Sequence, residues 1–308
     1  MGTTWQVKLV DVDESRAMDV GGEISALLTR LDRAVFSTWT PDSELSRLNA
    51  SAPGAAHAVS PDLLAVLALA QDIHARSRGA FDISVGPLVN LWGFGPDPAS
   101  GIPDAQAIEN ARAQTGLAAL HIDHTAGTAT YAKPLTLDLS GIAKGYAVDK
   151  VAELLLARGF TDFLVEVGGE LRLQGHGPGG DAWNIAIERP QSGMPEPYAR
   201  IDSAGEAIAL AGSGDYRNFR EVDGTRYSHE IDPRSGRPGT HALASVTVIS
   251  DTAASADAWA TALMVLGPDE GRAVADSEGL AAYFIMRAPT GFDHAQTAAF
   301  ARYVRPTP

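Results

Sequence analysis

The chain has 308 residues, 45% of them hydrophobic and 20% charged, which is long enough to bury a large core and too aliphatic for a disordered polymer. Lys plus Arg number 24 against 38 Asp plus Glu, and the resulting net charge of −14 argues against nucleic acid or an anionic membrane as the main partner. No cysteine occurs, which removes disulfides, thiolate metal sites and cysteine nucleophiles.

An anionic ligand of so acidic a chain needs a locally built site, such as a metal ion or a set of backbone N–H groups. No run approaches the roughly 20 apolar residues that span a bilayer, so no direct transmembrane segment is expected. The residues Met1 to Trp5 carry neither a basic nor an apolar leader signal. The expected compartment is the cytoplasm, with the periplasm as the alternative if a leader has been removed.

In chain order, residues 5–10 alternate enough for a first strand, and Ile24, Leu27, Leu28, Leu31 and Val35 mark one face of a helix. Thr40-Pro41 reads as N-cap and first residue of a short helix, and Ser60-Pro61 repeats the signal ahead of the stripe Leu63, Val66, Leu67, Ala70 and Ile73. That helix is expected to stop at Gly79. Ile102-Pro103-Asp104 opens another, closed at Gly116. Strands are expected at Leu120–Asp123, 128–132 and 135–139, then a helix over 143–158 and a strand over 162–167. Further strands are read at Glu170–Gln174, 183–188, 207–211 and Leu243–Ser250. A helix over 252–265 ends before Gly267-Pro268, and a short helix with strands at Ala281–Arg287 and 300–304 closes the chain. Helices and strands mix without strict βαβ alternation, so the fold class is α+β, a single two-lobed domain over 1–308 with mixed sheets packed against helices.

Three signals do not carry chemistry. Gly175, Gly177 and Gly180 have dinucleotide-loop spacing, but Pro178 interrupts and a strand follows where a helix is required. His121 and His124 lack the helix and the glutamate of a zinc motif, and Ser213 lacks the nucleophile-elbow context.

Four segments remain. Asp138 to Ala147 runs from a strand through Gly141 into a helix start with Lys144 in its first turn; this is either an anion site or an ordinary strand–turn–helix. Asp257 and Thr261 fall one helical turn apart among alanines. They make either a sparse oxygen site suited to Mg²⁺, which completes its shell from substrate phosphates, or a hydrogen-bonded pair in a core helix. His229, expected on a strand ending at Asp232-Pro233, is either a structural histidine or a general base with a pKa near ~6.5. Aromatic residues among glycines, from Gly79-Ala80-Phe81-Asp82 to Leu91-Trp92-Gly93-Phe94-Gly95, suit either a planar ligand or the core.

Together with Met1-Gly2-Thr3-Thr4, the run Ser37 to Arg47 and Val167-Gly168-Gly169-Glu170, these segments resemble the ApbE-type FAD:protein FMN transferases. Seven ordered motifs span nearly the whole chain. One departure stands out: Glu170 follows the glycine pair where Asp is common in that family.

The resemblance implies an enzyme that binds FAD with Mg²⁺ on its diphosphate, moves FMN onto a Thr or Ser hydroxyl of an acceptor flavoprotein as a phosphoester, and releases AMP. Carried over, Asp257 and Thr261 hold Mg²⁺ with a backbone carbonyl of Gly141, or alternatively Ala143. Met1, Trp39, Ala80, Phe81, Asp82, Asp138, Lys144, His229 and Ile231 line the FAD site, and His229 with Asp257 serves catalysis. Implied acceptors carry the motif Asp-x-x-(Ser/Thr)-(Gly/Ser)-Ala-(Thr/Ser), as in flavin-carrying subunits of membrane redox complexes. Two other activities compete: an Mg²⁺-dependent FAD pyrophosphatase, in which water replaces the acceptor hydroxyl, and a flavin-binding protein without turnover.

Overall fold

The computed structural model describes residues 2–95, 101–191, 193–216, 218–222 and 225–305. They group into two compact units, one built from Arg30–Ala143 and Asn218–His241, the other from Gly2–Thr29, Lys144–Arg217 and Ala242–Pro308. Helices mix with antiparallel sheets in both, as the α+β class requires.

The second unit is organised by a seven-stranded sheet in the order Trp5–Leu9, Phe163–Val167, Glu170–Gln174, Ile208–Gly214, Leu243–Ser250, Ala281–Arg287 and Phe292–Gln296. Every neighbouring pair is antiparallel. Gly168 and Gly169 join the second and third of these strands, with φ of +63° and +101°; a two-residue hairpin that needs positive φ at both positions selects glycine for both. Ile208 and Leu210 point into a cluster with Trp183, Ile187, Ile201, Phe300 and Tyr303 from beside a small sheet of Asn184–Glu188, Pro197–Asp202 and Val304–Arg305. Ala209 and Ala211, alternating with them and also buried, belong to the other face. The helix Ala253–Ser277 packs on Ile208–Gly214 and Leu243–Ser250. Covered on both sides, Leu243–Ser250 is buried at most positions on both faces, with Ser245 and Thr247 among its apolar residues, and its predicted bounds match the observed ones.

The first unit holds the helices Glu44–Asn49, Pro61–Arg76, Gly86–Leu91 and Ala105–Arg112 and a small sheet of His57–Ala58, Thr128–Tyr131 and Leu120–Asp123. Two hairpins, Phe219–Val222 with Thr225–Ser228 and Ile231–Asp232 with Arg237–Pro238, complete it. Leu88, Trp92, Ile108, Ala111 and Ile231 form one of its buried clusters.

Several expectations need correction. Thr40-Pro41 does not open a helix: Ser43 N–H bonds the Thr40 carbonyl in a turn with Pro41 at its second position, and Ser43 itself caps Glu44–Asn49 through Ser46 N–H. Ile102-Pro103-Asp104 does open the next helix, with Asp104 as its cap accepting from Ala107 N–H, but that helix ends at Arg112, short of Gly116. Residues 135–139 are extended but outside any sheet, because their backbone is satisfied by the Asn49 side chain at Leu137 and the Ile83 carbonyl at Asp138. His229 lies on a bend after Thr225–Ser228, not within a strand. Residues 300–304 are mainly turns that drive Phe300 and Tyr303 into the core; the strand missed nearby is Phe292–Gln296, whose polar pattern hides it. The helix read over 252–265 does end before Gly267-Pro268 as expected, since Gly267 leaves helical geometry at φ +77°, and the short helix expected next runs on to Ser277.

Candidate active site

In the second unit, three predicted residues and several unpredicted ones come together around the start of the helix Ala143–Ala157. Lys144 Nζ lies 3.4 Å from Asp257 Oδ1 and 3.4 Å from Glu170 Oε1. The other oxygen of Asp257 accepts the Gly145 N–H at 3.0 Å. Gly145 allows this because its helix runs directly against Ala253: a Cβ on residue 145 would stand 2.2 Å from the Ala253 carbonyl oxygen. One turn further along, Asp149 accepts N–H bonds from Ala253 and Ala254, both at 2.9 Å, and pairs with Arg172 at 2.8 Å. Those two N–H groups open the helix that carries Asp257, where no intrahelical acceptor exists. Asp149 and Gly145, four residues apart on one face, thus dock that helix and aim Asp257 at Lys144.

Thr261, one turn beyond Asp257, is half-buried with its hydroxyl 3.5 Å from Ser213 Oγ on strand Ile208–Gly214. The glycine hairpin ahead of Glu170 closes on the lysine stem, since a Cβ on Gly168 would meet Lys144 Cδ at 3.1 Å.

The three groups set one another's protonation. Burial works against the Lys144 ammonium, but the Asp257 and Glu170 carboxylates outweigh it and hold its pKa above the usual lysine range. Glu170 is pushed up to about 8, first by burial and then by the negative charge of Asp257, with Lys144 offsetting only part of both. Its side chain is 4% exposed, and Oε2 has no hydrogen-bond partner among the described residues. One ammonium faces two buried carboxylates. Added positive charge here favours the ionised form of Glu170, and the donors at hand are hard oxygens of the kind that suit Mg²⁺. Among the described residues no three His, Asp or Glu side chains converge as a ready-made metal centre.

The first unit carries the other predicted residues. Trp39 is 75% exposed on a loop whose turn is tied by Ser37, which accepts from Trp39 and Thr40 N–H through its side chain and from the Ser46 hydroxyl through its carbonyl. Ala80, Phe81 and Asp82 are buried. The Asp82 carboxylate is occupied by Ser84 N–H at 2.7 Å, the Ser84 hydroxyl at 2.6 Å and Leu117 N–H at 3.3 Å, so it builds its own loop. Asp138 N–H bonds the Ile83 carbonyl at 2.7 Å, joining that loop to the turn leading to Gly141, and the Asp138 carboxylate takes Ser140 N–H at 2.7 Å.

His229 Nδ1 faces the Asn218 carbonyl at 3.0 Å; a carbonyl only accepts, so Nδ1 carries the proton and the neutral ring keeps its lone pair on Nε2. Phe94 meets the His229 ring edge-on, with centroids 6.3 Å apart. Ile231 is buried in the Leu88 and Trp92 cluster, which commits its side chain to packing. Gly141 is half-buried in the turn before Ala143. Met1 lies outside the described residues.

Glu170, Asp149 and Ser213 were not among the predicted site residues. The spacing of Asp149, four residues after Gly145, was the available signal; the contact of Ser213 with Thr261 pairs a strand with a helix 48 residues away and had none.

Comparison with known proteins bears on this geometry. The ApbE family model matches residues 1–284. The FAD:protein FMN transferase of Klebsiella pneumoniae (strain 342) is 44% identical over 297 residues, covering 95% of this chain and 84% of that protein. The FAD:protein FMN transferase of Escherichia coli (strain K12) is 40% identical with the same coverage, 95% and 84%. Among solved structures, the flavin transferase ApbE from Vibrio cholerae superposes with a TM-score of 0.87 at 38% identity, over 98% of this chain and 96% of that one. The apo form of Pseudomonas stutzeri flavinyl transferase ApbE gives 0.88 at 41% identity, over 98% and 94%.

Proposed function

The chain belongs to the ApbE family, and from that premise we propose that it is an FAD:protein FMN transferase that moves FMN from FAD to a Thr or Ser hydroxyl of an acceptor flavoprotein and releases AMP. The observation that carries this reading at the level of chemistry is the pair of half-buried Lys144 and buried Asp257, with Gly145 N–H on the second carboxylate oxygen and Thr261 one turn away. In an acidic protein that takes an anionic dinucleotide, these directed oxygen donors can hold a divalent cation beside the Lys144 ammonium, and together they would supply the positive charge that the composition lacks. We read all of 1–308 as one transferase domain, because neither compact unit is continuous in sequence.

Asp257 and Thr261 would hold Mg²⁺, with the Gly141 carbonyl as a third protein oxygen; the N–H four residues on, that of Gly145, is committed to Asp257. Bound there, the cation supplies charge neutralisation on the FAD diphosphate and on the departing AMP oxygen. Lys144 adds a point charge for the same diphosphate. Trp39, the Ala80 to Asp82 loop, Asp138 and Ile231 would border the flavin nucleotide; the buried loop residues meet it through backbone, since the Asp82 side chain is already occupied.

His229 Nε2 would take the proton as the acceptor hydroxyl oxygen bonds the phosphorus of the FMN half, and the bond from that phosphorus to the AMP oxygen breaks. A positioned base of this kind is worth about 10²–10⁴-fold. The acceptor would be a flavoprotein with an exposed Thr or Ser, in the motif that the family resemblance implies.

Intact-mass measurement of such an acceptor after incubation with FAD and Mg²⁺ tests the reading. One FMN per acceptor with an equal amount of AMP is the expected result. AMP formed at full rate with no label on the acceptor would mean a pyrophosphatase instead.

A further inference from the structure

Glu170 begins its strand at the mouth of the Gly168-Gly169 hairpin, and one of its oxygens shares the Lys144 ammonium with Asp257 at equal 3.4 Å distances. The other oxygen is buried without a hydrogen-bond partner among the described residues. A buried carboxylate left half-satisfied is costly to keep, and nothing in the transfer chemistry above uses it. Its place suggests what it does. Asp257 cannot serve Lys144 and a divalent cation equally, because the ammonium and the cation repel each other and compete for the same oxygens. When the cation takes Asp257, Lys144 needs a second anionic partner within reach, and Glu170 is the one already in contact.

We propose that Glu170 is a positioning residue that takes over the Lys144 ammonium when a divalent cation occupies Asp257, so that lysine and cation remain side by side to meet the diphosphate. With ionised Glu170 the three side chains sum to −1 and the cation brings the site to +1. Without it, lysine and cation face a single carboxylate at +2 before any phosphate arrives, and cation binding weakens. The inference rests on the transferase reading for the role of the cation, but its test does not use transfer.

Mn²⁺ is titrated into the FAD-free protein under argon at pH 8.5, where the Glu170 carboxyl is mostly ionised, and free Mn²⁺ is followed by its EPR signal. Glu170→Gln, an isosteric change, is expected to weaken binding about tenfold, equivalent to about 1.4 kcal/mol. Lys144→Met alone is expected to tighten binding, and in that background Glu170→Gln should cost little, which is the coupling a double-mutant cycle reads. Unchanged affinity in Glu170→Gln overturns the proposal. An equal tenfold loss with and without Lys144 also overturns it, since Glu170 would then act on the cation directly. If Glu170→Gln does not fold, Lys144→Met decides: equal or weaker Mn²⁺ binding in that variant contradicts a competing ammonium. Wild-type protein that binds Mn²⁺ but labels no acceptor fails the transferase reading alone, whereas normal labelling by a wild type whose Glu170→Gln variant binds Mn²⁺ unchanged fails this one alone.

Discussion

Asp257 divides its two oxygens between a mobile charge and a fixed dipole: Oδ1 faces Lys144 and Oδ2 holds Gly145 N–H. The backbone bond orients the carboxylate and leaves the lysine side as the exchangeable one, so a cation can enter by displacing an ammonium without unlocking the helix. Asp257→Ala should lower FMN transfer by more than about a hundredfold while the protein stays folded, checked by acceptor labelling alongside circular dichroism. Glu170 gives a separate prediction for the metal-free protein. Its folded-state pKa, about 8, lies above the ordinary glutamate value of 4.5. The native state therefore holds a proton that the unfolded chain releases earlier, and the stability this contributes is complete below about pH 4.5 and lost as pH rises through about 8. Thermal unfolding of metal-free wild type should lose more stability between pH 5 and pH 8 than Glu170→Gln does. Parallel curves would contradict the raised carboxyl.

Two helices meet at the site, and small atoms decide how closely. Gly145 lies against the Ala253 carbonyl, and Asp149 on the same helix face ties down Ala253 and Ala254. Gly145→Ala would force these helices apart, with an expected destabilisation of about 1–3 kcal/mol by chemical denaturation and a large loss of transfer from misplacing Asp257. A variant of normal stability and activity would refute the contact. At this scale the sequence was a good guide where one pattern acted alone. Ser60 caps Pro61–Arg76 as read, Leu243–Ser250 and Ala281–Arg287 have the predicted bounds, and the Asp257–Thr261 spacing falls on one helix. It misled where a side chain replaced a ladder: Asn49 satisfies the extended 135–139 segment that otherwise reads as a strand. It also misled where one proline signal has two meanings, as at Pro41, which serves a turn and not a helix.

Across the molecule, the acidic composition carries into the site, where one half-buried lysine is shared by two carboxylates and positive charge must come from a bound cation. The motif order along the chain pointed to the family, but the roles of individual residues were less legible. The Asp82 carboxylate bonds within its own loop and Ile231 packs in a buried cluster, which leaves their backbone for a ligand, and Glu170 is a contact of Lys144 that local spacing could not reveal, because strand and helix meet there only through the fold. In the proposed mechanism a divalent cation on Asp257 enables transfer of FMN from FAD to an acceptor hydroxyl. It is tested most directly by removing divalent metal with EDTA, restoring Mg²⁺ stepwise and measuring acceptor mass for wild type and Asp257→Asn. No labelling is expected without metal, saturable labelling of the acceptor as Mg²⁺ returns, and none with Asp257→Asn at any Mg²⁺ concentration. Labelling that persists without divalent metal, or wild-type labelling by Asp257→Asn, would contradict it.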